Sequence, residues 1–408
     1  MRSQFLFRLF FLSFIIFVLC SNRFWATKMI ELDNSISEGG GILNYAALLV
    51  VLVSFLWFIR SIKHIHVRGI HRICILWFLI MPVIMFLSHA QKSYYIMTIL
   101  WPLLFEVGYI MTGIEGIELK HIRKLFIVVF FVGLFFFLQS KLHANRIDQT
   151  NTIYFPLLTA PFLLCYSNKR LQTVILIGIS LLSIWSFKRG VLLIVLLVWL
   201  FYFWQTVRGK RNVLAIIVIA GVFLLGSIYT LKRMDQASGG VITARAEKTQ
   251  DDEGGGRLNI WTIVVAMIDV SSPTQKIIGH GHFGVSHDSP LGLSAHNDFL
   301  EVIYDYGLIV FFLYLLLWLY VIKRLRFHIK NNTTFVVPYF FSFAIFLLMS
   351  MVSHLILYCS YFNYLVLFWG CMEGLMQKSS LSINSIQNEG IVCNERVPVK
   401  EEPYGGEL

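Results

Sequence analysis

The chain has 408 residues, of which 57% are hydrophobic, 15% aromatic and only 14% charged, and its mean hydropathy is +0.70. Soluble domains carry about a quarter charged residues, so this composition excludes an ordinary water-soluble fold and predicts an all-α, polytopic integral membrane protein. The net charge of +11 is read as lysine and arginine gathered in loops by membrane topology, with no nucleic-acid partner. Cys20, Cys74, Cys165, Cys359, Cys371 and Cys393 are scattered, with no C-x-x-C, and read as small hydrophobes, not as a disulfide or zinc framework.

In chain order, the apolar run 5–20 follows Arg2 and Arg8 and has the look of a signal peptide. No A-x-A site follows it, and Leu19 spoils a lipoprotein box before Cys20, so a retained first helix is expected. Further runs lie at 42–59, 73–88, 94–113, 125–139, 152–167, 171–187, 190–207, 213–231, 298–322, 335–354 and 356–376, giving about twelve transmembrane helices. There is no internal repeat. The expected organisation is transmembrane helices over 1–231, a large periplasmic loop over 232–296, three more helices over 297–377, and a cytoplasmic tail over 378–408 whose polar composition predicts disorder.

Basic residues set the orientation. With the N-terminus inside, the inner loops hold Arg60, Lys63, Arg68 and Arg72, then Lys120, Arg123 and Lys124, then Lys169 and Arg170, then Arg208, Lys210 and Arg211, then Lys323, Arg324, Arg326 and Lys330. Outer loops hold fewer: Arg23, Lys28, Lys92, Lys141 and Arg146. One outer turn breaks the trend with two cations, Lys188 and Arg189. They are either snorkelling residues at a helix end or are kept for an anion at the outer membrane face. The long polar interruption between the ninth and tenth spans concentrates Arg, His and Gly, and it is where chemistry is expected.

Three pieces carry a resemblance to a known family. They are an S-x-x-R-G turn from Ser186 to Gly190; Arg257 and Trp261 in R-x-x-x-W, followed by Pro273 and a glycine turn with Gly279 and Gly281; and His296, Asn297, Phe299, Leu300 and Glu301 in H-N-x-F-L-E, followed by Gly307, Leu308 and Ile309. In this order and topology they resemble the O-antigen ligase and polymerase superfamily of bacterial inner membranes, from about the sixth span onward. His280 and His282 inside the glycine turn, and Val310 after G-L-I, depart from the family pattern.

The resemblance implies a multi-pass enzyme of the bacterial inner membrane, with its active site facing the periplasm. It moves a glycan from undecaprenyl diphosphate to an acceptor sugar, with no nucleotide donor and no cofactor. Negative charge developing on the leaving diphosphate calls for guanidinium groups, which bind phosphate in a bidentate fork; Arg189 and Arg257 are the candidates. The acceptor hydroxyl loses a proton as it attacks, and a histidine near its ordinary pKa is a suitable base; His296 is the candidate. Lys188, Trp261, Asn297, Glu301 and Asn151 are the expected substrate-side residues. For several of these a plainer reading stands beside the functional one: a cation–π staple for Arg257 and Trp261, helix-cap or interfacial roles for His296, Asn297 and Glu301, and an ordinary cap for Asn151 where, with His143 and Arg146, it opens the sixth span.

His280, His282, His287, Asp288 and His296 raise a metal reading, since H-x-H with further ligands can hold zinc. No helix sets their spacing, so no metal is expected. Glu106, Asp305 and Glu373 lie in or near spans, and Glu106 supports a transporter as the rival class; paired, broken helices in two related halves are not found. Between the enzyme readings, polymerase with a second lipid-linked repeat unit as acceptor is preferred, with ligase to lipid A–core as the alternative. Expected partners are the undecaprenyl-diphosphate-linked oligosaccharide, the bilayer, and a chain-length regulator and flippase of the same pathway.

Overall fold

The computed structural model describes residues 2–31, 41–65, 67, 69–90, 93–143, 150–186, 188–207, 221, 232, 236 and 257–394. Among these the regular elements are helices, which pair their own backbone groups where hydrocarbon offers no other partner. They are α1 (Arg2–Glu31), α2 (Ile42–Ser61), α3 (Ile70–Leu87), α4 (Ser93–Tyr109) running into a π turn (Ile110–Ile114), α5 (Leu119–His143), α6 (Tyr154–Leu163), α7 (Lys169–Ser186) and α8 (Arg189–Val207). From residue 257 onward come α9 (Arg257–Val270), α10 (Pro273–Ile278), α11 (Gly284–Asp288), α12 (Asp298–Lys330), α13 (Val336–Val352) and α14 (Cys359–Asn394). Seven described helices are long and apolar enough to cross a membrane: α1, α2, α3, α4 with its π turn, α5, α8 and α12; α13 is apolar but shorter.

Every expected span except the ninth coincides with a helix. The ninth apart from Gly221, most of 232–256 and Arg146 lie outside the described residues. The sixth is shorter than its apolar run predicts. Helix α6 has 10 residues, about 15 Å of rise against a hydrocarbon core of about 30 Å. Pro161 lies inside it and removes a backbone donor near its end. The carbonyls just past its last turn are taken up by side chains: Gln172 donates to Leu164 O at 3.0 Å and Tyr166 O at 2.6 Å, and Arg123 donates to Cys165 O at 2.8 Å. At the other end of the chain, α14 continues to Asn394, past Gln377 where the sequence turns polar.

The centre of the molecule is α4 against α14. A Cβ added to Gly108 would lie 2.6 Å from Leu367 O, and one on Gly370 would lie 2.1 Å from Phe105 O, so the two backbones are in contact through small residues, as membrane helices pack. Glu106, buried in α4, accepts from His71 Nδ1 of α3, 2.9 Å from each carboxylate oxygen. Glu373 accepts from Tyr320 at 2.6 Å and pairs with Arg324.

What places the site is a break in α12 at Gly307, where φ is 76° and ψ −179°. A Cβ on Gly307 would sit 2.2 Å from Ile277 O, and one on Gly279 would sit 2.2 Å from Asp305 O. The glycine turn therefore lies on the kink backbone to backbone, with His280 N donating to Tyr304 O at 3.0 Å and Gly281 N to Asp305 O at 2.8 Å. The Asp305 carboxylate accepts from Phe283 N at 2.9 Å and Val285 N at 3.0 Å, at the start of α11. The role of Asp305 is therefore structural, since it fastens the external segment to the first turns of α12.

Candidate active site

Four segments meet at the N-terminal end of α12. Ser186 and Lys188 form the turn into α8. Lys188 O accepts from Val191 N and Leu192 N, both at 3.1 Å, and Ser186 Oγ accepts from Lys188 N at 3.2 Å. Ser186 O accepts from Thr150 N at 3.2 Å, tying this turn to the one that opens α6. Arg257 starts α9, and Trp261 one turn later donates its indole N–H to Ala295 O at 2.8 Å, pinning α9 to the loop before α12.

That loop ends at His296, whose φ of 52° is left-handed, an uncommon conformation for a residue with a side chain. Asn297 caps α12, accepting from Phe299 N at 2.9 Å and Leu300 N at 3.3 Å, as residues of its type do at helix starts. Glu301, one turn on and fully buried, accepts from His296 N at 3.1 Å through Oε1. Its Oε2 accepts from Nδ1 of His354 at 3.1 Å. The His354 segment is held by Asp298, whose carboxylate accepts from Leu355 N at 3.0 Å and Ile356 N at 3.2 Å. The second nitrogen of His354 lies 3.1 Å from Ser294 Oγ, and its ring centre is 4.3 Å from that of His296.

The electrostatics identify which cations share this corner. Burial, then His354, Arg257 and Lys188, hold the His296 imidazole down at about 3. Burial, then Lys188, Arg257 and Lys28, hold His354 at about 3. Burial and then Arg257 lower the Lys188 ammonium to about 8. Both histidines are therefore neutral at pH 7, beside two side chains that carry positive charge. Tyr154 of α6 completes the wall, with its hydroxyl bonded to Ser353 and its ring 5.9 Å from Lys188 Nζ.

Of the expected residues, Arg257, Lys188, His296, Asn297, Glu301 and Trp261 are brought together here. Arg189 opens α8 with an exposed side chain; its neighbour Lys188 is the cation that acts on both histidines. Asn151 begins the 3-10 turn Asn151–Ile153 before α6, and the residue of this region that reaches the corner is Tyr154. His354, Asp298 and Ser294 were not singled out from the sequence. The only signal for His354 is a Ser-His pair at the seam of two apolar runs.

The other histidines are engaged separately. His280 stacks on Tyr304 with ring centres 4.0 Å apart, and bonds Ser271 at 2.9 Å and Asp288 at 3.3 Å. His282 is bonded to the Tyr306 hydroxyl and packs on Tyr94 at 4.6 Å. Among the described residues no group of three His, Cys, Asp or Glu is placed to hold a metal ion.

The fold and this site define an all-α, multi-pass membrane protein whose polar residues converge on one end of a broken helix. Residues 155–315 match the family model described as O-Antigen ligase, and the match supports the O-antigen ligase and polymerase superfamily. Members of that family are membrane glycosyltransferase-like enzymes. The matched region runs from α6 into α12 and contains Lys188, Arg189, Arg257, Trp261, His296 and Glu301, but not His354 or Lys28. No curated protein matches the chain.

Proposed function

We propose that this protein is a polysaccharide polymerase of the inner membrane, transferring a glycan from an undecaprenyl-diphosphate carrier to the sugar of a second lipid-linked repeat unit at the periplasmic face. The single observation that carries the reading is the convergence of Arg257 and Lys188 on a pair of neutral histidines at the mouth of α12. A diphosphate leaving group gains charge as the anomeric C–O bond breaks, and fixed cations in a partly desolvated corner stabilise it more in the transition state than in the ground state. The acceptor hydroxyl must release a proton, and the histidine corner is uncharged and able to take it. Neither ring nitrogen of His296 is hydrogen-bonded among the described residues, which supports a role for it toward the reactants. Lys188 and Arg257 in turn depress both imidazoles, so an arriving diphosphate would neutralise those cations and raise the histidines' affinity for the proton when it is needed.

Ligase activity toward lipid A–core uses the same donor chemistry and is the second reading, supported by the description of the matched family. Deleting the gene and resolving the surface glycolipid on a gel tests both. A core bearing one repeat is the expected result; a bare core would mean ligase, and an unchanged ladder would contradict either enzyme.

A further inference from the structure

Both nitrogens of His354 are committed, and in opposite directions. Nδ1 faces Glu301 Oε2 at 3.1 Å and Nε2 faces Ser294 Oγ at 3.1 Å. With Glu301 ionised, its carboxylate at Nδ1 fixes the tautomer with the proton there, leaving the Nε2 lone pair to accept from a hydroxyl. Hydroxyl, imidazole and carboxylate in series, each at hydrogen-bond distance, is the arrangement by which enzymes withdraw a proton from an alcohol. His296 lacks the last member: the carboxylate reaches its backbone N–H, not its ring.

We propose that Ser294, His354 and Glu301 form a proton relay in which the proton released by the acceptor hydroxyl comes to rest on His354. This rests on the transfer reading and deepens it. In the step, the acceptor oxygen bonds to the anomeric carbon while the bond from that carbon to the diphosphate oxygen breaks, and the lipid diphosphate leaves with the electron pair. The acceptor's proton passes to Ser294 Oγ as the serine's own proton passes to His354 Nε2. The imidazolium formed is held by Glu301, while Arg257, Lys188 and Lys28 oppose its charge until the diphosphate covers them. A serine as nucleophile would leave an alkyl glycoside, a poor leaving group for the second displacement, so the hydroxyl is assigned as a relay. His296, lacking a carboxylate at its ring, serves to hydrogen-bond the reactants beside Arg257. Ser294 is partly exposed, His354 is 9% exposed and Glu301 0%, so the chain runs from the open side of the site inward.

The test uses detergent-purified full-length protein with an undecaprenyl-diphosphate-linked oligosaccharide, measuring kcat and donor KM, with elution profile as the check on folding. His354→Gln keeps hydrogen bonding but cannot carry a proton; kcat is expected to fall about a hundred- to ten-thousand-fold, with donor KM unchanged. Imidazole added to His354→Ala is expected to restore part of the rate, which a merely structural role would not permit. Ser294→Ala is expected to lower kcat without raising donor KM, and Glu301→Gln likewise. Wild-type kcat in Ser294→Ala or His354→Gln would overturn the relay, as would parallel loss of donor binding with no rescue by imidazole. If His354 variants do not fold, Ser294→Ala alone decides. Absence of transfer by the wild-type protein would instead overturn the proposed function and is distinguishable from all of these.

Discussion

Glu301 joins two histidines that are 58 residues apart in the chain, accepting from the main chain of His296 and from the ring of His354, each at 3.1 Å. The two rings come to lie 4.3 Å apart as a result. One buried carboxylate therefore ties the loop before α12 to the segment between α13 and α14, and a pH dependence of stability follows from it. Both imidazoles are held near 3, below the ordinary 6.5, so the unfolded chain binds more protons than the folded one over that interval. Their contribution to stability is complete above about pH 6.5 and is lost as pH falls toward about 3. The change in thermal midpoint in detergent between pH 7 and pH 4 should be more negative for the wild type than for the His354→Gln, His296→Gln double variant. An equal slope in the variant would contradict the assignment.

The glycine pair at the kink gives a second prediction. Gly307→Ala and Gly279→Ala each place a methyl group about 2.2 Å from backbone atoms, at φ values of 76° and 79°. Backbone cannot yield as a flexible side chain can, so each substitution should cost well above the ~1 kcal/mol of an ordinary glycine exchange and shift the thermal midpoint sharply down. Gly178→Ala is the control. Nothing lies within 4 Å of a Cβ there, and in mid-helix alanine should be neutral or stabilising by up to ~1 kcal/mol. Equal behaviour of the three variants would remove the kink as the element that sets the site.

The cations give a third. Arg257→Lys keeps the charge but loses the bidentate fork, so transfer should fall by more than tenfold while the protein elutes normally. Lys188→Gln should weaken donor binding, because the ammonium shares the corner with both histidines. Arg189→Gln should be milder, since the side chain opens α8 on an exposed surface. The opposite order of the two neighbours would return Arg189 to the first role.

Much of this corner is legible in the sequence because polar residues are costly in a chain of this composition, and where they gather they stand out. Arg257, Trp261 and the His296–Glu301 segment are found that way. The order of Lys188 and Arg189 is not, because both are cations of one short turn and only the folded backbone separates the half-buried Lys188 from the exposed Arg189. His354 is hidden for another reason: it is a single polar residue at a helix seam, and its partner Glu301 is 53 positions away. Asp305 shows the converse. An intramembrane carboxylate suggests function, but backbone N–H groups of the glycine turn consume it. The shortness of α6 is signalled by Pro156 and Pro161, which an apolar run length does not weigh.

Orientation is tested through two exposed loop positions on described segments. Leu291 precedes α12 and Asn331 follows it, and both are exposed. The basic-residue pattern predicts that a membrane-impermeant thiol reagent labels Leu291→Cys but not Asn331→Cys, in a cysteine-free background with the outer envelope permeabilised. The reverse pattern would invert the site to the cytoplasmic side and remove the periplasmic assignment.

Polymerisation itself is measured most directly as glycan transfer by the purified protein supplied only with undecaprenyl-diphosphate-linked repeat units. The expected result is lipid-linked products lengthened by whole repeats, one lipid diphosphate released per transfer, and loss of both in Arg257→Lys. Intact donor after incubation with folded wild-type protein, whether lipid-linked repeat or lipid A–core is offered as acceptor, would contradict it.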